Sequence, residues 1–329
     1  MSKQSLKLLL SLVVAIMGVG VTEPAAADSD DVIRFATLPK PGPGHPEGIA
    51  ADRAGNIYVA TFEFTQPNVI YVFTRHGELA TTISVPGVPL GLEFDATGRL
   101  YVANFGTGDV QQFDPPFNSG SLPAHTFPVC GGFPVCALNA ITFDASGDLY
   151  VSDSFGGNVF KVDLPAGTLS TFLSDELLKP GSHGFPPFGA NGLAFDAAGK
   201  NLYIANTADD RILKYEIATQ KLSTFAESVN GADGITFDSR GRLWVAANQA
   251  DEVVALNANG RVVERRGSFR GVGKDGAARG LLFPASVVIS RGSIYVTNLA
   301  LALTPAVGDE PEEDITTFTV SRIPLEGDD

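Results

Sequence analysis

Glu47, Asn139, Asn191 and Asp233 each stand eight residues ahead of a glycine (Gly55, Gly147, Gly199 and Gly241), and each is followed by glycine or alanine. Two carboxylates and two carboxamides at one recurring position form a set of hard oxygen donors. With no histidine or cysteine among them, such a set suits Ca²⁺, Mg²⁺ or Mn²⁺ rather than zinc or copper, and its carboxylates repel one another unless a cation neutralises them. A bound divalent ion polarises an ester carbonyl and activates water, and a nearby carboxylate takes the proton, which is the equipment of a hydrolase. The same spacing places Leu90 before Gly98 and Pro284 before Gly292, two apolar residues that leave one side of the set open. Asp and Asn also cap turns ahead of strands, so spacing alone leaves both readings standing.

Other candidate chemistry is sparse. Of the four histidines, His76 and His125 lie far in sequence from the recurring position, His45 sits two residues before Glu47, and His183 lies in the loop leading to Asn191. That loop, residues 177–189, carries Phe185 and Phe188 and runs into Asn191, so His183, Phe185, Phe188 and Asn139 are the candidate substrate contacts. The insertion at residues 269–282 offers Arg270, Lys274 and Arg279 for an anionic substrate or for solvation. Cys130 and Cys136 share a Gly/Pro-containing loop and read as a local disulfide. No GxSxG, P-loop or dinucleotide motif occurs.

The elements that must position these residues are written as a sixfold repeat. GIAADRAGNIYVAT from Gly48, GLEFDATGRLYVAN from Gly91, AITFDASGDLYVSD from Ala140, GLAFDAAGKNLYIAN from Gly192, GITFDSRGRLWVAA from Gly234 and SVVISRGSIYVTN from Ser286 are one phrase in six spellings. Each is an apolar strand, a tight turn and a second strand; in the first five the turn is Asp-x-x-Gly, where Asp bonds backbone two residues on and Gly accepts positive φ. Two further apolar strands follow most copies, so each unit is a four-stranded blade of about 50 residues. The expected fold is all-β: a six-bladed β-propeller. The last copy lacks a fourth strand and residues 32–38 precede the first, so the N-terminal strand should close blade six against residues 316–323.

Composition agrees with a globular β protein: 44% hydrophobic, 18% charged, with Gly 36 and Pro 21. Residues 1–27 read as a signal peptide, with Lys3 and Lys7, an apolar run at 8–21 and Ala25-Ala26-Ala27 before the cut. The propeller then occupies residues 28–329, and the protein is expected to be exported, periplasmic or secreted. The run of about 14 residues is short for a membrane span. A net charge of −14 argues against nucleic acid as a partner. The expectation is a monomer that acts on a small molecule away from the membrane.

HPEGIAAD, ANGLAFD and ADGITFDSRGRLWVA resemble the metal-site segments of the gluconolactonase and regucalcin family, the senescence-marker type of six-bladed propellers. The likeness spans essentially the whole of residues 28–329. It implies that Glu47, Asn191 and Asp233 bind one divalent cation, Ca²⁺ first and Mg²⁺ or Mn²⁺ as alternatives. It also implies that Asn139 faces substrate or adds a ligand, and that Asp233, with Glu47 as second candidate, is the catalytic proton acceptor. The sequence departs from sugar-lactone members at Ala137, where they carry Arg, and at Ile49 and Ala50, where they carry Pro and an aromatic. The implied activity is a metal-dependent opening of a lactone or related ester. A non-catalytic binding module and a lyase acting on a cyclic ester are the alternatives; a chelator-sensitive lactone assay and product mass separate them.

Overall fold

The computed structural model describes residues 32–182, 184, 186–303 and 310–325; the proposed signal segment lies outside the described residues. These form six four-stranded antiparallel sheets around an axis, plus one two-stranded hairpin. The innermost strands are Pro46–Ala51, Pro89–Phe94, Leu138–Phe143, Ala190–Phe195, Ala232–Phe237 and Pro284–Ser290, one per blade and each opening one copy of the repeat. Neighbouring innermost strands touch in ring order, the sixth against the first. Blade six is assembled from both chain ends: Ile33–Thr37 pairs with Thr319–Pro324, with Ile33 opposite Arg322 and Thr37 opposite Thr319. The blade thereby gains its fourth, outermost strand, and the ring is closed by hydrogen bonds between distant segments.

The core lies between blades. Each strand buries a different set of side chains on its two faces, and a Tyr on the second strand of one blade meets a Phe on the innermost strand of the next. Tyr58–Phe94, Tyr101–Phe143, Tyr150–Phe195 and Tyr203–Phe237 are edge-to-face pairs with centroids 4.9, 5.3, 5.1 and 5.1 Å apart. Such geometry adds about 0.5–1.5 kcal/mol per pair beyond area burial. The turn aspartates lock the opposite face. Asp238 Oδ1 accepts from the Arg240 and Arg242 amides, at 3.0 and 2.8 Å, and its Oδ2 accepts from Trp244 Nε1 at 2.9 Å. These bonds, with Arg242 paired to it, hold the Asp238 carboxyl below its ordinary range despite the opposing cost of burial.

Candidate active site

Each of the six innermost strands skips a step in its ladder at the same place. In blade five Ala232 faces Ala247 and the next partnered residue is Ile235, so Asp233 and Gly234 form a bulge. Glu47-Gly48, Leu90-Gly91, Asn139-Ala140 and Asn191-Gly192 occupy the same break in blades one to four. A bulge re-aims one side chain, and here it frees the donor residues from the sheet faces. The donors are thus the second residue of each innermost strand, within it rather than just ahead of it. The small residue after each donor answers to crowding: a Cβ on Gly48 would lie 1.7 Å from the Leu90 carbonyl oxygen, and one on Gly192 2.3 Å from that of Asp233.

Blade six corrects the sequence register. Its hairpin turn is the two residues Arg291-Gly292, with Ser290 opposite Ser293, whereas blade five spans Asp238 to Arg242. The turn is one residue shorter on the approach side, so counting eight back from Gly292 overshoots. Pro284 faces Asn298 as Ala232 faces Ala247, which makes Ala285 the sixth member of the ring. The ring reads Glu47, Leu90, Asn139, Asn191, Asp233, Ala285, and its open side remains apolar.

Glu47, Asn139, Asn191 and Asp233 are all buried and line one cavity of about 420 Å³ at the axis. Glu47 Oε2 and Asp233 Oδ1 are buried without a hydrogen-bond partner. Burial, and then the charge of Asp233, drives the Glu47 carboxyl well above its ordinary range. Burial pushes Asp233 up to about 7, against the pull of amide bonds from Asn248 and Asn191. Two desolvated carboxylates that feel one another are an expensive arrangement, which a proton or a cation relieves. Among the described residues no group of three or more His, Cys, Asp or Glu side chains comes together. A cation here therefore rests on two carboxylates and on carboxamide oxygens. That all-oxygen set, with its orphaned acceptors, fits a hard divalent ion such as Ca²⁺.

A second ring, one residue past the end of each second strand, surrounds the first. By the strand pairing it comprises Phe62, Phe105, Ser154, Thr207, Asn248 and Leu299. Its polar members orient the donors. Thr207 Oγ1 donates to the Ala232 carbonyl at 2.8 Å and accepts from Asn191 Nδ2 at 2.9 Å, which fixes which way the Asn191 amide faces. Asn248 Nδ2 donates to Asp233 Oδ2 at 3.1 Å, while Asn248 Oδ1 is a third buried oxygen without a partner. Sequence reading missed Asn248 and Thr207. Both lie just past the quoted phrase, and extending the alignment by one residue brings out the second ring.

The remaining candidates divide. Phe188 lines the cavity and stacks on Phe155, with centroids 5.7 Å apart; His183 and Phe185 lie outside the described residues. His45 lines the cavity, and its Nδ1 sits 3.0 Å from the Leu299 carbonyl, so that nitrogen carries the donated proton. His76 packs beside Arg75 and His125 lines a different groove. The insertion forms the hairpin Phe269–Val272 with Ala278–Gly280. Its Arg270 and Arg279 line a separate groove with Arg34, and among the described residues no Lys or Arg lines the central cavity. Cys130 and Cys136 are bonded to each other.

A family model described as SMP-30/gluconolactonase/LRE-like region matches residues 186–266, the stretch that holds Asn191, Thr207, Asp233 and Asn248. No curated protein matches the chain in sequence. Solved structures share the fold. A luciferin-regenerating enzyme is 16% identical over 87% of this chain and 92% of its own, with TM-score 0.64. A gluconolactonase from Xanthomonas campestris is 14% identical over 89% of each chain, with TM-score 0.63. Virginiamycin B lyase from Staphylococcus aureus is 10% identical over 89% of this chain and 98% of its own, with TM-score 0.54. The six-bladed propeller fold is thus common to this chain and these proteins.

Proposed function

We propose that this protein is an exported hydrolase that opens a lactone or related ester at the floor of the axial cavity, using a divalent cation held by Glu47, Asn191 and Asp233. The observation that carries this reading is the pair of buried, partnerless carboxylate oxygens, Glu47 Oε2 and Asp233 Oδ1, on one cavity. When bound, the cation supplies Lewis acidity toward a carbonyl and a lowered pKa for water. The residues supply the rest. Asn248 holds one Asp233 oxygen, leaving the partnerless one for ligation or for a proton. The Thr207 bond holds the Asn191 amide, and Asn139 completes the polar side of the floor against substrate. Leu90 and Ala285 leave room for the scissile group. Asp233, with Glu47 as second candidate, accepts the proton released as water adds to the carbonyl.

Export, a monomeric state and a small-molecule substrate belong to the same proposal. Export is supported by the N-terminal pattern and the disulfide, and a small-molecule substrate by the size of the axial cavity. A panel of lactones and aryl esters assayed with Ca²⁺, Mg²⁺, Mn²⁺ or chelator tests the reading. Turnover that stops with chelator and adds the mass of water to the product supports it. No turnover with any metal would leave a binding module instead, and a product of unchanged mass would indicate a lyase.

A further inference from the structure

The wall of the cavity is as informative as its floor. On the side of blades six, one and two, the second ring is Leu299, Phe62 and Phe105, all in the cavity lining. Two more aromatics extend this wall to the rim: Phe64, 63% exposed, and Phe133, 49% exposed. They form one contiguous cluster. Phe62 meets Phe64 edge-on at 5.0 Å, Phe105 stacks on Phe133 at 5.1 Å, and Phe64 lies 6.0 Å from Phe133. Backbone fixes the rim as well, since the Phe133 amide donates to the Phe105 carbonyl at 3.2 Å and the Cys130–Cys136 bond closes the loop that carries Phe133.

Apart from Glu47 on the floor, polar side chains on this side make hydrogen bonds to the protein. His45 bonds the Leu299 carbonyl, and Glu63 accepts from the Gly44 amide at 3.2 Å. A polyhydroxylated ring needs donors and acceptors around its whole edge, and unpaired buried hydroxyls are costly. This wall offers faces and edges of phenyl rings instead. The volume, about 420 Å³ above two carboxylates, suits a small molecule rather than a protein segment.

We propose that the Phe62, Phe64, Phe105 and Phe133 wall binds an aromatic or alkyl substituent of the substrate, so that the substrate class is a lactone or ester bearing a hydrophobic group rather than a sugar lactone. This inference rests on the hydrolase reading for the nature of the reacting group. The wall directs the substituent toward the rim while the carbonyl lies over Asn139, Asn191 and Asp233. Phe64 and Phe133 are the discriminating residues, since their exposure lets them be truncated without opening the core.

The test is calorimetric binding of two unreactive lactams, a γ-phenyl-γ-butyrolactam and a polyhydroxylated gluconolactam, to the full protein and to its Phe64→Ala and Phe133→Ala variants. The proposal expects the phenyl lactam to bind at least about tenfold more tightly than the polyol. It expects each substitution to weaken the phenyl lactam by about tenfold, with Ca²⁺ affinity unchanged. Tighter binding of the polyol, or phenyl-lactam affinity indifferent to both substitutions, overturns it. Because the lactams are not hydrolysed, the hydrophobic preference stands or falls whether or not any lactone is turned over.

Discussion

The two halves of the propeller mouth are built on one repeat and do opposite things. In blades three, four and five the two rings carry Asn139, Asn191 and Asp233 inside and Ser154, Thr207 and Asn248 outside, joined by the Asn191–Thr207 and Asn248–Asp233 hydrogen bonds. In blades six, one and two the same positions carry Ala285, Glu47 and Leu90, then Leu299, Phe62 and Phe105. Only Glu47 interrupts the apolar half, and it faces Asp233 electrostatically across the axis. The backbone, including the bulge that aims the inner ring, is common to both halves, whether or not the inner residue is a donor. Side-chain type alone therefore separates a half that holds charge and orients groups from a half that lines the cavity with apolar surface.

Breaking the polar half should have the largest consequence. Asp233→Ala removes one carboxylate and the acceptor of the Asn248 bond, and divalent affinity by calorimetry should fall by about a hundredfold or more, with hydrolysis falling alongside it. The cation-free variant should melt higher than wild type at pH 7.5, by roughly 2–4 °C, because a like-charge repulsion and a buried charge are gone. A variant that melts lower would mean that Asp233 is structural. Asn248→Ala leaves both carboxylates but removes the donor that orients one; metal affinity should drop by about tenfold.

Proton linkage sharpens the same contrast. Asp233 is raised from 3.8 to about 7 and Glu47 is raised well above 4.5. The folded, cation-free state therefore binds more protons than the unfolded one between those values. The stability that these two groups contribute in chelator should be fully present below about pH 4 and should be lost as pH rises through 7, and Ca²⁺ should remove most of that decline. Glu93, raised by burial to about 7 on the innermost strand of blade two, adds a component that Ca²⁺ leaves in place. Melting curves from pH 4 to 8 with and without Ca²⁺ check both parts. A cation-free protein that gains stability on going from pH 5 to pH 8 would contradict the picture of two buried, unsatisfied carboxylates.

On the apolar side the expected effects are smaller. Replacing Cys130 and Cys136 by Ser should release the loop that carries Phe133, lowering stability by no more than about 2 kcal/mol for so short a loop. The preference for a phenyl-bearing over an unsubstituted lactone should shrink about threefold. Metal affinity should stay as it was, and a loss of metal affinity would mean that the loop supports the floor after all.

The propeller itself was legible because each blade restates the same phrase, and the strand pattern ahead of the first copy is the one that the structure pairs with Thr319–Pro324 in blade six. The inner ring was legible for the same reason, through a constant offset from the turn glycine. That offset failed in blade six, where a turn shorter by one residue moves the ring position from Pro284 to Ala285. The bulge and the second ring were not visible in local pattern. A bulge leaves no composition signature here beyond one small residue, and Phe62, Phe105, Thr207 and Asn248 share a position without sharing a type. Their kinship shows only when the repeat alignment is carried one residue past the quoted phrases.

The account turns on one ion at the axis. Crystals grown with Mn²⁺, whose anomalous scattering identifies it, should show a single axial peak within about 2.0–2.6 Å of side-chain oxygens of Glu47, Asn191 and Asp233, open toward Leu90 and the cavity. An axis without a peak at millimolar Mn²⁺, or a peak that leaves any one of those three residues outside bonding distance, would contradict the assignment of the site.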